Sequence, residues 1–242
     1  ADGEIDYYDA FGKKLDVQNS AMPDGVDAVS VVNDYIDAIG GMDKLKSVSS
    51  LVTKMSADIM GQKAGMETGQ QSDKMFYMEM SMGGNVMQEQ RYDGMKAKVG
   101  GMGQSQTITE GKELDNMKSQ ARSFGQLAYM DKANGYNLEL KGIEDVAGTK
   151  AYKIQVENPN GDKSYEFYAV KSSLLIRNMT TQEVPGADPQ TITTDMSDYK
   201  EVSGIMFPHT MEINGAMPFP LVMKIESVQV NATIPADKFK TD

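Results

Sequence analysis

The spacing of apolar residues along the chain changes once, near residue 50. Between residues 28 and 39 apolar side chains recur three or four positions apart, which is the spacing of an amphipathic helix. Asp27 can cap the start of this helix, and Gly40-Gly41 can end it, since glycine readily adopts the left-handed conformation that follows many helices. From residue 51 onward alternate positions are apolar, which predicts strands with one solvated face.

Turn residues divide the rest of the chain into separate strands. We predict them at residues 51–59, 72–82, 86–92, 97–99, 137–143, 149–157, 163–171, 173–182, 190–200, 205–214 and 220–230. Residues 61–65 are predicted to form a turn and residues 100–103 a flexible segment, because both are rich in glycine. Residues 110–132 carry an apolar stripe at helical spacing and predict a second helix, with a break or kink at Gly125.

Strands that follow one another without alternating helices favour antiparallel pairing. We therefore predict a mainly β protein of the α+β class, an open or closed antiparallel barrel of about ten or eleven strands with two helices. Residues 1–25 predict an N-terminal leader or linker, and residues 26–242 a single domain.

The charge balance argues against some classes of partner. The chain has 24 basic and 35 acidic residues and a formal net charge of -11, whereas nucleic acids and anionic lipid head groups are bound by clustered Lys and Arg. No apolar run approaches the roughly 20 residues that span a bilayer. The first four residues, 1–4, lack the basic and apolar regions of a signal peptide. We expect either that a preceding segment has been removed or that the chain is part of a longer protein.

The residues that carry most enzyme chemistry are scarce. Cysteine is absent and His209 is the single histidine, so thiol catalysis and ordinary zinc sites cannot be assembled. The chain has no Asp-x-Asp-x-Asp-Gly calcium loop, and Gly101-Met102-Gly103 is not followed by the third glycine of a dinucleotide-binding loop. We predict a non-catalytic protein with no metal and no cofactor. A pair of carboxylates from separate strands, as in glycosidases, is a hydrolase arrangement that the sequence leaves open.

Methionine is unusually frequent, at 20 residues, and forms alternating rows on the predicted strands. Its flexible, polarizable side chain fills irregular apolar space and suits binding surfaces that adapt to different ligands. A sheet bent on itself must fill its inner face with side chains, cover it with helices or bind a ligand there. The candidate residues for a ligand cavity are Met55, Ile59, Phe76, Met78, Met80, Met117, Phe124, Met211 and Met223. The alternative is a core that the second helix fills completely.

Three stretches in order resemble the outer-membrane lipoprotein-sorting (LolA/LolB-like) superfamily, in the version found in Bacteroidetes-type envelopes. They are Val32–Gly41 with Lys44-Leu45 after it, Gly148–Arg177, and Asp198–Pro208. The resemblance covers about residues 28–240. It implies a half-open antiparallel β-barrel in which the helices at 28–39 and 110–132 lie against the concave face. It also implies an apolar cavity for a lipid or lipoprotein acyl chain, and a location in the periplasm or cell envelope.

The N-terminal stretch Ile5–Gly12 is similar to the region that follows insulinase-type zinc peptidase modules in some bacterial proteins. This second resemblance implies that the chain is the non-catalytic C-terminal domain of such a polypeptide. Its partner would then be an N-terminal peptidase module or another envelope protein. Two functions therefore remain: a non-catalytic envelope domain that binds a lipid or a lipoprotein acyl chain, or an accessory interaction domain of a zinc peptidase with a filled core and no lipid ligand.

Overall fold

The computed structural model describes residues 25–182 and 189–242, and its main element is one antiparallel sheet of thirteen strands. The strands are β1 Ser50–Ile59, β2 Gln62–Gln71, β3 Met75–Met82, β4 Asn85–Tyr92, β5 Ala97–Gly101, β6 Gln104–Ile108, β7 Asn137–Val146, β8 Thr149–Glu157, β9 Lys163–Ala169, β10 Leu175–Gln182, β11 Gln190–Val202, β12 Ile205–Asn214 and β13 Leu221–Val230. Their order across the sheet is β6-β5-β4-β3-β2-β1-β13-β12-β11-β10-β9-β8-β7. The sheet is open, with β6 and β7 at its edges. The mainly β, antiparallel prediction is confirmed, but the predicted ten or eleven strands is wrong.

The two strands that the sequence did not predict are β2 and β6. β2 begins inside the stretch predicted as a turn, 61–65, where Gly65 and a run of polar residues hide any alternation. β6 is a five-residue edge strand whose first four residues are exposed and polar, so it carries no apolar period. The segment 100–103, predicted as flexible, contains the end of β5 and the Met102-Gly103 turn that leads into β6.

The described residues form three α-helices and three short 3-10 helices. The α-helices are α1 Ala28–Ala38, α2 Met42–Lys46 and α3 Lys112–Gln120; the 3-10 helices are Gly125–Met130, Lys132–Asn134 and Ala236–Phe239. Asp27 caps α1 as predicted. Its carboxylate accepts a hydrogen bond from the Ser30 backbone N–H at 2.7 Å, and the Ser30 hydroxyl accepts one from the Asp27 N–H at 3.0 Å.

The predicted helix over 110–132 is shorter than expected. It ends at Gln120, Phe124 is extended with φ -134° and ψ 96°, and the chain resumes as 3-10 helix at Gly125. The physical reason is that the two halves of the apolar stripe pack into different cores. Leu114 and Met117 join the cluster under α3, whereas Phe124 and Leu127 pack against the cluster under α1.

Both longer helices lie on the same face of the sheet, which we call the helix-bearing face. Directly opposed residues of antiparallel strands share a face, and Leu51, Gln70 and Phe76 oppose one another across β1, β2 and β3. Leu51 belongs to the core under α1, and Phe76 to the core under α3. This agrees with the predicted packing of two helices against one side of the sheet. The other face, the tail face, is covered at Tyr77 by Phe239, which belongs to the last 3-10 helix.

The predicted leader, residues 1–25, lies outside the described residues except for Gly25. The domain boundary at residue 26 therefore stays a prediction.

Candidate functional site

A row of six methionines, which we call the methionine strip, crosses the helix-bearing face. Its members are Met80, Met66, Met55, Met223, Met211 and Met196, on the adjacent strands β3, β2, β1, β13, β12 and β11. The first three oppose one another directly, and so do the last three. The two trios join through Ile225, which opposes Met55 and stands two positions from Met223 on β13. The strip is therefore continuous over six neighbouring strands.

The apolar cluster at the centre of the strip is built from strand residues. Its buried members are Met55, Ala57 and Met223, and its half-buried members are Ile59, Met66, Met211, Ile213, Leu221 and Ile225. Each of these residues belongs to β1, β2, β12 or β13, whereas the other two clusters on this face include side chains of α1 or α3. The strip thus combines a buried floor with half-buried, flexible apolar side chains.

The nine predicted cavity residues divide among three places. Met55, Ile59, Met211 and Met223 meet in the central cluster of the strip, and Met80 extends the strip onto β3. Phe76, Met78 and Met117 lie in the cluster under α3, and Phe124 packs against the core under α1. Met66 was not among the predicted residues, because β2 was not predicted. Met196 was not among them either, although β11 and β12 are consecutive strands whose pairing the two-residue turn at 203–204 indicates.

Side chains fill the part of the face under α1. Val32 and Ile36 of α1 pack with Ile154, Tyr168 and Ile205 of the sheet, and each of the five is at most 1% exposed. Close packing of this kind leaves no room for a ligand. A filled core therefore describes the part of the helix-bearing face under α1, and Met196 at one end of the strip packs against it.

A buried carboxylate, Glu166 on β9, anchors the 3-10 helix Gly125–Met130 to the sheet. It accepts hydrogen bonds from Gln126 Nε2 at 3.2 Å, from the Tyr129 hydroxyl at 3.0 Å and from the Tyr168 hydroxyl. Burial raises the pKa of Glu166, and the three donors oppose that effect without cancelling it. Glu166 was not among the predicted site residues, because an acidic residue in a strand ordinarily lies on the solvated face.

A pocket of about 340 Å³ opens between α2 and the segment that follows α3. Lys46 and Arg122 line it together with Phe124, Leu127 and Met130, among others. The Arg122 guanidinium donates a hydrogen bond to the Tyr136 hydroxyl at 3.0 Å. A second pocket, of about 300 Å³, lies at the β5–β6 hairpin. Of the predicted cavity residues, Phe124 lines the first of these pockets and none lines the second.

His209 lies within β12, and its Nδ1 is 3.0 Å from the Phe207 carbonyl oxygen. Across residues 25–182 and 189–242 no group of three or more His, Cys, Asp or Glu side chains is arranged to hold a metal ion. Within the same residues no helix is both long and apolar enough to cross a membrane.

The sequence matches no protein-family model and no curated protein. Solved structures do resemble the chain. A LolA superfamily protein from Nitrosomonas europaea aligns with a TM-score of 0.59 and 12% identity over 89% of this chain and 98% of its own. A DUF1329 family protein from Desulfovibrio piger aligns with a TM-score of 0.55 and 11% identity, again over 89% of this chain and 98% of its own. The resemblance predicted from the sequence is confirmed at the level of architecture: the chain has the fold of the LolA superfamily.

Proposed function

We propose that the protein is a non-catalytic binding domain of the periplasm or cell envelope, and that its ligand is a lipid or a lipoprotein acyl chain. The ligand would lie along the methionine strip. The observation that carries this proposal is the strip itself: six methionines on six adjacent strands. Four of them, Met55, Met66, Met211 and Met223, lie in a cluster that no helix residue of the described chain enters, and Met196 at one end packs against the core under α1. Methionine side chains repack easily, which suits a site for chains of different length and branching.

The dimensions of the strip support an extended apolar ligand. Neighbouring strands lie about 4.8 Å apart, so six strands place the first and last methionine roughly 24 Å from each other. An extended acyl chain of sixteen to eighteen carbons has a comparable length. Polar side chains interrupt neither trio of the strip, because each methionine is opposed by another methionine or by Ile225.

The competing function, an accessory domain of a zinc peptidase with a filled core, stays a prediction. The low exposure of Met55 and Met223, 7% and 4%, is what such a core would show at these two positions. The half-buried Met66 and Met211 beside them support the binding function, because they present flexible apolar side chains that a ligand can contact.

Uptake of a fluorescent fatty acid by the purified protein tests the proposal. Met66→Ser and Met211→Ser each remove apolar contacts with a ligand on the strip, and we expect each to weaken binding about fivefold. Met179→Ser is the matched control, because Met179 is a half-buried methionine in a cluster on the tail face. Native mass spectrometry of the protein as purified should show an adduct of lipid mass. No uptake and a bare polypeptide mass, or equal losses in all three variants, would refute the proposal.

A further inference from the structure

The antiparallel register brings the β8–β9 turn at 158–162 and four connections of the neighbouring strands β1–β6, β12 and β13 to the same end of the sheet. The methionine rim, as we call it, consists of these four connections. They are the β1–β2 turn at 60–61, the β3–β4 turn at 83–84, the β5–β6 turn at 102–103 and the β12–β13 connection at 215–220. β1 runs antiparallel to β13, so the end of β1 at Ile59 lies beside the start of β13 at Leu221. The turns at 72–74, 93–96, 147–148 and 203–204 are at the opposite rim.

The methionine rim carries most of the strongly exposed apolar side chains of the described residues. Met60 is 88% exposed, Met102 81% and Val86 49%, each at or next to a hairpin turn of this rim. Val222, two residues after the β12–β13 connection, is 38% exposed. Scattered single apolar residues need no explanation, but four of six at one end of the sheet form a pattern.

The backbone at these turns makes the choice of methionine unusual. Met60 has φ 53° and precedes Gly61 at φ 82°, and Met102 has φ 52° and precedes Gly103 at φ 83°. Two-residue turns of this left-handed type favour Asn, Asp or Gly at the first position, and a large side chain is strained there. At the opposite rim the corresponding left-handed position holds the small residues Ala147 and Ser203. Local folding therefore gives no reason for methionine, and the strain together with the exposure points to a surface that is covered in use.

The charges at this rim indicate what covers it. The turn segments 60–61, 83–86, 102–105 and 215–220 contain no charged residue, and the last of them includes Met217 and Phe219. The whole chain carries a formal charge of -11, which repels an anionic surface. The Asp58 carboxylate, just before the first of these segments, accepts a hydrogen bond from the Gly61 N–H at 2.8 Å. Uncharged turn segments with separate apolar tips on an acidic protein fit a bilayer surface of neutral, zwitterionic lipids. Tips on separate hairpins can each enter the interfacial region of a bilayer.

The rim is also continuous with the methionine strip. Ile59 precedes the Met60 turn and Leu221 follows the 215–220 connection, and both belong to the central cluster of the strip. An acyl chain that leaves a bilayer at this rim would meet apolar side chains without crossing the charged surface. This direction of entry rests on the proposed function, whereas contact between the rim and a membrane does not.

We propose that the methionine rim is a membrane-docking surface that places the tips Met60 and Met102 in the interfacial region of a bilayer without net charge. Partition of the full chain onto phosphatidylcholine–phosphatidylethanolamine vesicles tests this. The double variant Met60→Asn with Met102→Asn removes both tips with a residue that suits the left-handed backbone, so folding should not suffer. We expect its partition coefficient to be about tenfold lower than that of the unaltered chain. The control is Met95→Asn, since Met95 is 79% exposed but lies in the 93–96 turn at the opposite rim.

Because the chain contains no tryptophan, the fluorescence of a single introduced tryptophan reports how deeply its position enters the bilayer. With neutral vesicles, Met60→Trp should show a blue-shifted emission that brominated lipids quench, and Met95→Trp should not. Equal partition of the double variant and the unaltered chain, equal quenching of both tryptophans, or binding that requires anionic lipid would overturn the proposal. Loss of self-association in the double variant without any vesicle binding would also overturn it, and would show that the tips pair two copies of the chain. Fatty-acid uptake tests the proposed function separately. If uptake is observed together with any of these outcomes, only the membrane-docking proposal is overturned.

Discussion

Replacement of Gly69 by alanine tests whether one aromatic ring controls the stability of the tail face. Gly69 of β2 directly opposes Tyr77 of β3, and the ring of Tyr77 lies over the glycine. A Cβ at Gly69 would stand 2.1 Å from Tyr77 Cε1, so the ring would have to move by more than an ångström. Tyr77 is 2% exposed, donates a hydrogen bond to Glu67 at 2.8 Å and meets the Phe239 ring edge-on at 5.6 Å.

The cost of Gly69→Ala follows from the contacts that the displaced ring gives up. A hydrogen bond to a charged acceptor contributes about 1.5–3 kcal/mol, and an aromatic pair about 0.5–1.5 kcal/mol beyond its buried area. The substitution also raises the free energy of unfolding by roughly 0.5–1 kcal/mol, because alanine restricts the unfolded chain more than glycine does. We therefore expect Gly69→Ala to lower the free energy of unfolding by roughly 2–3 kcal/mol.

Urea denaturation followed by far-ultraviolet circular dichroism measures this loss. The matched control is Gly65→Ala in the same strand, where the new Cβ meets the Ser81 hydroxyl at 3.2 Å and a small rotation relieves the contact. The control should unfold within about 0.5 kcal/mol of the unaltered chain. In a Tyr77→Val background the ring is gone, so Gly69→Ala should cost little. A loss below 0.5 kcal/mol for Gly69→Ala, or the same loss in the Tyr77→Val background, would refute the reasoning.

Three further predictions concern other contacts. Because burial raises the pKa of Glu166, the folded chain binds its proton more tightly than the unfolded chain and loses stability as the pH rises above about 4. Glu166→Gln cannot ionise, so its stability relative to the unaltered chain should increase with pH; urea midpoints that differ by a constant amount from pH 4 to 8 would contradict this. Phe239→Ala should cost about 3–5 kcal/mol and expose the C-terminal segment to limited proteolysis, since Phe239 is 3% exposed. Arg177→Lys breaks the two-pronged contact with Asp195, at 2.5 and 2.7 Å, and should cost about 1 kcal/mol in low salt; an equal loss in 1 M salt would argue against an electrostatic cause.

The sequence was sufficient for the strands whose apolar residues alternate and insufficient for the two that depend on glycine or on an edge. The position of Gly69 in β2 requires glycine, because the Tyr77 ring of β3 occupies the space that a side chain would need. This contact joins two strands, so neither stretch of sequence shows it alone. The last position of β5 requires glycine, because a Cβ at Gly101 would stand 2.3 Å from the Met87 carbonyl oxygen. Gly65 lies in the predicted turn at 61–65 and Gly101 in the segment at 100–103 that was predicted to be flexible, so the glycines of both segments concealed the strands there.

The candidate site was predictable row by row but not as a surface. Alternation places Phe76, Met78 and Met80 on one face of β3, and the register agrees. However, the row divides between two places: Phe76 and Met78 lie under α3, and Met80 continues the methionine strip. The helix covers only part of the strand, and a periodic pattern contains no information about where a distant helix packs.

The helix-bearing face therefore contains regions that differ in packing, and this difference orders the expected effects of substitution. Under α1 the side chains are closely packed and Glu166 fixes the 3-10 helix above them, so truncation there should reduce stability first. Along the strip, Met66 and Met211 are half-buried and flexible, so polar replacement should reduce ligand binding more than stability. The tips Met60 and Met102 stand almost fully in solvent, and asparagine relieves their left-handed backbone; there, stability should stay constant or rise while membrane binding falls. At the tips we expect membrane binding to fall while stability stays constant or rises. Under α1 we expect stability and binding to fall together. These two outcomes in one set of variants would distinguish a functional surface from a packed core.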